Sequence, residues 1–157
     1  MIKLGKLTDY AVVVMAELAR DKTGKQPRSA AWLSDRTGVP EPTVAKILKT
    51  LAKHDLLVAQ RGAAGGYRLA ASADDISIGR IIVALEGPIA IISCVDGHEG
   101  NCVAEHKCQM RGHWDGVNQA IRKALESVSL RQIAENKCPV MDVFPTEALR
   151  PVAEGRG

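Results

Sequence analysis

The sequence predicts a mainly α-helical protein that carries one small β-hairpin. Several segments place apolar residues at helical spacing, and one segment with a glycine-rich centre is typical of two short strands and their turn. With 157 residues, the chain is long enough to bury an apolar core without disulfides. It has neither an apolar run of membrane-spanning length nor a secretory signal pattern at its N-terminus, so we expect a cytoplasmic protein.

The first two helices are indicated by apolar content and by capping residues. Residues 7–20 are nearly all apolar and predict a buried helix, with Thr8 or Asp9 placed to cap its first turn. After a polar break, Ser29 is placed to cap a short second helix over residues 30–37.

A third helix follows directly. Gly38 suits the left-handed conformation that ends the short helix, and residues 39–57 continue as a helix with Pro42 in its first turn. One face of this helix is apolar, with Val44, Ile47, Leu48 and Leu51. The opposite face is polar and basic, with Thr43, Lys46, Lys49, Thr50 and Lys53. Two helices joined by such a tight turn predict a helix-turn-helix, whose second helix enters a DNA major groove.

The segment after this pair is typical of a wing. Residues 56–70 alternate as two short strands around the sequence RGAAGG, which suits a hairpin loop. Arg61 and Arg68 are placed to reach phosphates or a minor groove. The predicted fold is therefore a winged helix-turn-helix.

Two further helices are predicted beyond the wing. Residues 72–88 form a capped helix whose buried stripe is Ile78, Ile81, Ile82 and Leu85. Residues 112–134 form a long amphipathic helix, with Leu125 beside a seam of alternating three-four spacing: Trp114, Val117, Ile121, Ala124 and Val128. Such a helix after a winged domain favours dimerisation, and the alternative is that it folds back on its own domain.

These patterns divide the chain into four parts. We expect a DNA-binding domain over 1–88, a cysteine-rich loop over 89–111, a dimerisation helix over 112–134 and a flexible tail over 135–157. The charge supports this division, because residues 1–70 carry 12 Lys and Arg against 6 Asp and Glu, a net +6, while the remainder carries 9 against 12. A basic N-terminal half favours a polyanion partner. The chain has only five aromatic residues, too few for a platform that stacks unpaired bases, so duplex DNA is favoured over single strands.

Three cysteines lie close together between the last two helices. Cys94, Cys102 and Cys108 are separated by seven and five residues among hydrophilic neighbours, which disfavours a role in an apolar core. Reduced thiols in this pattern favour a metal site, and the absence of a tight Cys-x-x-Cys pair favours an iron-sulfur cluster over zinc. A thiol-disulfide switch remains the alternative. Cys138 lies in the tail, and we do not expect it to be a ligand.

Taken together, these motifs resemble one known family. KLTDYAVVVMAELA, the helix-turn-helix, RGAAGGYRLA, ISIGRIIVALEGPI and the three-cysteine loop resemble the Rrf family of bacterial winged-helix regulators, which includes IscR, NsrR and RirA. The resemblance covers roughly residues 1–134. LGKLTDYA, EGPIA and ALESVSL are most similar to the regulators of the SUF iron-sulfur assembly system.

The resemblance implies a homodimeric transcription factor, a repressor of SUF genes, with an iron-sulfur cluster of the 4Fe-4S or 2Fe-2S type on its three cysteines. IscR-like members place a histidine ligand where this chain has Arg111, so the fourth ligand must differ. NsrR-like members use an aspartate that matches Asp9, reaching the cluster from the partner subunit. His113 is the main alternative, and the further candidates are His106, Glu105, water or a small molecule.

The DNA-reading helix also departs from IscR-like members. Those members carry acidic and amide side chains where this chain has Ala45 and Lys46, so the operator sequence does not transfer. We expect DNA contacts from six residues: Pro42, Thr43, Lys46, Lys49, Arg61 and Arg68. The alternative for the lysines is a solvated helix face without a DNA contact.

No enzyme motif accompanies these features. The sequence has no nucleophile-base motif and no phosphate loop, and AAGGYRL lies between two strands, which is the wrong setting for dinucleotide binding. The functional alternatives to a cluster-sensing regulator are a DNA-independent cluster carrier or scaffold and a thiol-switch regulator without a cluster.

Overall fold

The computed structural model describes residues 4–20, 26–62, 64–90 and 113–137. Within these ranges the chain forms six helices and a two-stranded antiparallel sheet, which confirms the mainly α fold with a small β wing. The elements, in chain order, are α1 (Lys6–Arg20), α2 (Ala30–Thr37), α3 (Glu41–Lys53), β1 (Leu57–Gln60), β2 (Gly66–Leu69), α4 (Ile78–Glu86), α5 (His113–Ser127) and α6 (Leu130–Ala134).

Helix α1 runs through the centre of the domain and packs against α2, α3, α4 and α6. Most of its apolar residues are buried or half-buried, as predicted, but Val13 is 42% exposed. The expected cap is wrong. The helix begins at Lys6, and the Gly5 carbonyl accepts from the Thr8 and Asp9 amides at 3.0 and 3.2 Å. The Thr8 side chain is fully buried and donates to Glu86 at 2.5 Å, so a tertiary contact replaces the local cap.

Helices α2 and α3 form the predicted helix-turn-helix. The Ser29 hydroxyl accepts from the Trp32 amide at 3.1 Å and caps α2, and Gly38 ends it at φ +73°, both as predicted. The turn is then held by the Ser34 hydroxyl, which donates to the Val39 carbonyl at 2.7 Å. Because these signals are all local, the sequence is sufficient to place the turn.

Helix α3 buries the predicted apolar face completely, since Val44, Ile47, Leu48 and Leu51 all lie in the core. It ends at Lys53, earlier than the predicted residue 57, because Asp55 adopts a positive φ of 57° and the chain turns into β1.

The wing is the β1–β2 hairpin, with Leu57 opposite Leu69 and Gln60 opposite Gly66. Arg28 forms an isolated antiparallel β-bridge with the wing, because its backbone N–H donates to the Tyr67 carbonyl and its carbonyl accepts from the Tyr67 amide, both at 2.9 Å. A Cβ at Gly66 would lie 2.5 Å from the Arg28 carbonyl oxygen, so this close approach requires glycine.

The C-terminal helices depart from prediction in their bounds. Helix α4 begins at Ile78 rather than at residue 72, with Ser77 as its cap. A single helix over 112–134 is wrong, because the chain breaks after Ser127 and Ser129 caps α6 with a capping box. The residues at this break contact the start of α4, where the Ile78 amide donates to the Val128 carbonyl at 2.9 Å. Helix α6 then packs on α1, so only the part of the segment before the break can serve as a separate dimerisation helix.

Candidate nucleic-acid interface and sensor segment

The outward face of α3 carries the residues predicted to read DNA. Pro42, Lys46 and Lys49 are exposed and Thr43 is half-buried. The Thr50 hydroxyl donates to the Lys46 carbonyl at 3.1 Å and is thus engaged within the helix. With its opposite face sealed in the core, α3 presents a single basic surface to solvent.

The wing places a second set of positive charges beside this surface. Arg61 is exposed where the chain leaves β1 for the loop, and Arg68 is half-buried on β2. Arg68 donates to the Leu69 carbonyl at 3.4 Å, so its guanidinium lies close to its own strand. Of the two wing arginines, Arg61 is therefore the better placed to reach a partner.

A group of residues that sequence reasoning missed lies where α2 meets the wing. The Arg28 and Arg36 guanidinium carbons lie 4.4 and 5.6 Å from the centre of the Trp32 ring. We call Arg28, Trp32 and Arg36 the arginine–tryptophan stack. Trp32 and Arg36 lie one turn apart on α2, and this four-residue interval is the signal that could have revealed that pair, whereas Arg28 precedes the helix.

The stack is anchored to α1 by a buried carboxylate. Glu17 is only 6% exposed and accepts from Arg36 at 3.0 Å and from Arg20 at 2.7 Å. A carboxylate buried to this degree requires such partners. Arg36 is therefore fixed on both sides, by an aromatic ring and by an ion pair.

The residues predicted to bind a cluster are only partly within the described ranges. Cys94, Cys102, Cys108, Glu105 and His106 lie outside them. So do two residues that were not expected to be ligands, Arg111 and Cys138. The backbone of His113 begins α5, and Asp9 is exposed in the first turn of α1. An exposed carboxylate at this position is accessible to a second subunit.

Two polar contacts hold the chain at the point where α4 leads toward the cysteines. The Glu86 carboxylate accepts from the Gly5 amide at 2.8 Å and from the buried Thr8 hydroxyl. The hydrogen bond from Thr8, followed by that from Gly5, lowers the pKa of Glu86. On the other side, the buried Asn118 of α5 donates to the Ile89 carbonyl at 3.0 Å. The sequence offered no signal for these contacts, because each joins positions far apart in the chain.

Helix α5 leaves part of its apolar seam in solvent. Trp114 is 38% exposed and Val117 is 45% exposed, while Ile121, Leu125 and Val128 are half-buried. The C-terminal part of α5 packs on α4. The contact is close at Gly79 of α4, where an added Cβ would lie 3.2 Å from the Glu126 side chain of α5. The exposed apolar residues therefore lie on the first turns of α5, next to the cysteine segment in sequence.

No helix in the described part of the chain combines the length and apolar character that a bilayer crossing requires.

Comparison with known proteins agrees with this architecture. IscR of Sodalis glossinidius, an HTH-type transcriptional regulator, is 30% identical over 149 residues, which cover 94% of this chain and 88% of that protein. The structure of T. potens IscR has a TM-score of 0.62 at 26% identity and covers 94% of this chain and 96% of its own. CymR, the global cysteine regulator of B. subtilis, has a TM-score of 0.66 at 29% identity over 87% of this chain and 98% of its own.

The family assignment rests on most of the chain. Residues 4–136 match the Rrf2 family, described as an iron-dependent transcriptional regulator. The match includes α1, the helix-turn-helix, the wing and the last three helices, and it confirms the predicted resemblance. This chain therefore belongs to the Rrf2 family and is a helix-turn-helix transcriptional regulator related to IscR.

Proposed function

We propose that this protein is a homodimeric, iron-sulfur cluster-sensing regulator that binds duplex DNA and represses iron-sulfur assembly genes of the SUF type. The observation that carries the proposal is the basic face of α3. This helix buries one side completely and presents Lys46 and Lys49 beside the wing residue Arg61. The chain belongs to a family described as iron-dependent transcriptional regulators, and this supports the sensing role.

The DNA interface combines a reading helix with a wing. Helix α3 enters a major groove, where Thr43, Lys46 and Lys49 reach base edges or phosphates. Arg61 approaches the adjacent minor groove or the flanking backbone. The exposure of Lys46, Lys49 and Arg61 supports this assignment.

The dimer forms through the first turns of α5. Trp114 and Val117 together leave an apolar surface in solvent, and a second copy of the same seam would cover it. In a two-fold dimer the same patch serves both subunits, which places two α3 helices on a near-palindromic operator.

The cluster site combines groups from both subunits. The thiolates of Cys94, Cys102 and Cys108, with Asp9 of the partner subunit, would hold the cluster, and His113 is the alternative fourth ligand. Three thiolates and one oxygen donor suit an iron-sulfur cluster, which would supply sensitivity to oxidants and to iron supply. Asp9 is exposed and next to Thr8, whose bond to Glu86 joins the start of α1 to the end of α4. A rearrangement of the cysteine segment would thereby reach α1.

A thiol-switch regulator is the second candidate. One of the matched structures is a global cysteine regulator, so the same fold serves a cysteine regulator in that protein. In this case Cys94, Cys102 and Cys108 would act as thiols and their oxidation would change DNA affinity.

The test is DNA affinity with and without the cluster. The full chain is purified without oxygen and titrated onto a duplex from upstream of SUF genes, first as isolated and then after a chelator has removed iron. We expect at least about a tenfold difference in Kd between the two forms, a coupling of about 1.4 kcal/mol. Equal affinities in the presence of a reductant, with a change on disulfide formation, would favour the thiol switch instead.

A further inference from the structure

Helix α3 carries one acidic residue, at the end that meets base edges in helix-turn-helix proteins. Glu41 is the first residue of the helix, and the rest of the helix supplies three lysines and no second acid. Glu41 is exposed, and its carboxylate makes no hydrogen bond or ion pair within the described part of the chain. A negative charge on a surface that binds phosphate lowers affinity unless the carboxylate meets a donor.

The backbone at this end of α3 does not suit a phosphate. The start of a helix usually offers several free N–H groups, which attract anions. Here Pro42 has no N–H, and the Thr43 and Val44 amides donate to the Pro40 carbonyl at 2.9 and 3.0 Å. Three of the first four residues of α3 therefore offer no free backbone donor, and Glu41 adds a negative charge beside them. This end of the helix suits a donor group rather than an anion.

The carboxylate lies along one edge of the exposed face of α3. Glu41, Ala45 and Lys49 follow one another at intervals of four residues, which places them on the same side of the helix. Ala45 has only a methyl group, so it leaves space beside the Glu41 side chain. Lys49 lies about 12 Å further along the helix axis, so its charge is largely screened from Glu41. The surface offered to DNA therefore has an acidic start and a basic middle.

The major groove offers both donors and acceptors to this carboxylate. Guanine presents acceptors there at N7 and O6, and thymine presents one at O4. Cytosine presents its N4 amine, and adenine presents its N6 amine beside the N7 acceptor. An ionised carboxylate can only accept, so an acceptor opposite it would leave both groups desolvated and unpaired. Cytosine is the base whose edge offers a donor alone, which makes it the best match for Glu41.

We infer that Glu41 determines sequence specificity by accepting from the N4 amine of a cytosine in each operator half-site and by rejecting guanine or thymine at that position. This inference rests on the proposed function as a DNA-binding regulator. It assigns recognition to a residue outside the set of α3 and wing residues expected to contact DNA. The positive charges favour DNA of any sequence, and Glu41 restricts binding to matching sequences.

The test is selection from a pool of randomised duplexes by the full parent chain and by Glu41→Ala, each in its iron-loaded and its iron-depleted form. We expect the parent protein to enrich a half-site with a fixed cytosine, and the variant to lose the preference at that base pair alone. Replacing this cytosine should weaken binding by the parent protein about five- to hundredfold, the range of one well-matched base contact. The same replacement should leave the affinity of Glu41→Ala nearly unchanged.

Two further variants separate recognition from charge and from folding. Asp35→Ala removes an exposed acid of the neighbouring helix α2, so it changes the net charge equally and should keep the base preferences of the parent protein. Glu41→Gln keeps the size of the side chain but replaces one acceptor with a donor. It should lose the rejection of guanine, with a thermal midpoint close to that of the parent protein.

The possible outcomes distinguish this inference from the proposed function. An increase in the affinity of Glu41→Ala for all duplexes by one factor, with base preferences intact, overturns the inference, because Glu41 would then only repel phosphates. Binding by the parent protein without any base preference overturns it as well. If Lys46→Ala changes the selected sequence while Glu41→Ala does not, only this inference fails. If the parent protein binds no duplex in either form, the proposed function fails with it.

Discussion

Helices α3 and α5 have similar amphipathic sequences, but their apolar faces are buried to different extents. The apolar side of α3 is fully covered within one chain, at Val44, Ile47, Leu48 and Leu51. The apolar side of α5 is covered only at its C-terminal end, and Trp114 and Val117 stay exposed at its start. Two helices with the same periodicity therefore differ in burial: the apolar face of α3 is fully covered within the subunit, and that of α5 is only partly covered.

The difference indicates which surface each helix offers to a partner. Because the apolar face of α3 is used up by the core, its polar, basic face is the one left for a partner, and that face suits DNA. Because the apolar face of α5 is partly free, a protein partner is favoured there, and a second copy of the chain fits best. One subunit thus exposes a polar, basic surface and an apolar surface on two helices of the same kind.

The largest effect is expected from Leu48→Ala in α3. Leu48 is completely buried, so the substitution should lower the free energy of unfolding by about 2–5 kcal/mol. Urea denaturation followed by circular dichroism measures this loss, with the exposed Lys49→Ala as the matched control. A loss below about 1 kcal/mol would mean that the apolar face of α3 is not part of a packed core.

The corresponding change in α5 should affect assembly instead of folding. Trp114→Ala should remove about 1.5 kcal/mol of apolar contact from each side of a two-fold interface, and thus weaken dimerisation by about a hundredfold. Sedimentation velocity over a concentration series measures the shift toward monomer, with Lys123→Ala as control. A dimer of unchanged affinity would place the subunit interface elsewhere.

Asp9→Ala tests whether the exposed start of α1 serves the sensor. If Asp9 of the partner subunit is a ligand, the variant should stay folded and dimeric while its cluster decays about tenfold faster in air, as judged by visible absorbance. An unchanged spectrum and cluster lifetime would exclude Asp9 as the fourth ligand and favour His113.

Arg61→Ala tests the polar interface. It should weaken binding to the SUF upstream duplex by about five- to tenfold, because one charged contact is lost, while iron content stays the same. Affinities compared at matched salt decide the question, and an unaltered Kd would remove the wing from the DNA interface.

The smallest effect concerns the contact between α1 and α4. The pKa of Glu86 is lowered in the folded chain by the Thr8 hydroxyl and the Gly5 amide, so its carboxylate stabilises the fold at neutral pH. This contribution is lost as the pH falls through the lowered pKa, on the acid side of the usual carboxyl range. Glu86→Gln should therefore show a smaller drop in thermal midpoint between pH 7 and pH 3.5 than the parent protein does, and equal drops would exclude this role.

The fold was predictable where signals are local. The Ser29 side chain caps the start of α2, and the left-handed backbone of Gly38 ends it. The glycines of the wing loop predict the hairpin without any knowledge of tertiary contacts. The break after Ser127 was not predictable, because it depends on pairing with the start of α4, about fifty residues earlier in the chain.

The candidate sites follow the same rule. The basic face of α3 follows from helical spacing alone, whereas the role of Thr8 depends on Glu86, 78 residues away. Arg28 was missed because its significance comes from the wing strand that it pairs with, and a single arginine before a helix cap carries no such signal.

This regulator is proposed to carry an iron-sulfur cluster, and its metal and sulfide content decides whether that claim holds. Iron and acid-labile sulfide are determined per chain on the full protein purified without oxygen, together with its visible absorption spectrum. We predict sulfide close to iron in amount, with about two or four irons per chain according to cluster type. Zinc without sulfide, or no metal at all, would contradict the claim, while the DNA-binding fold would stand.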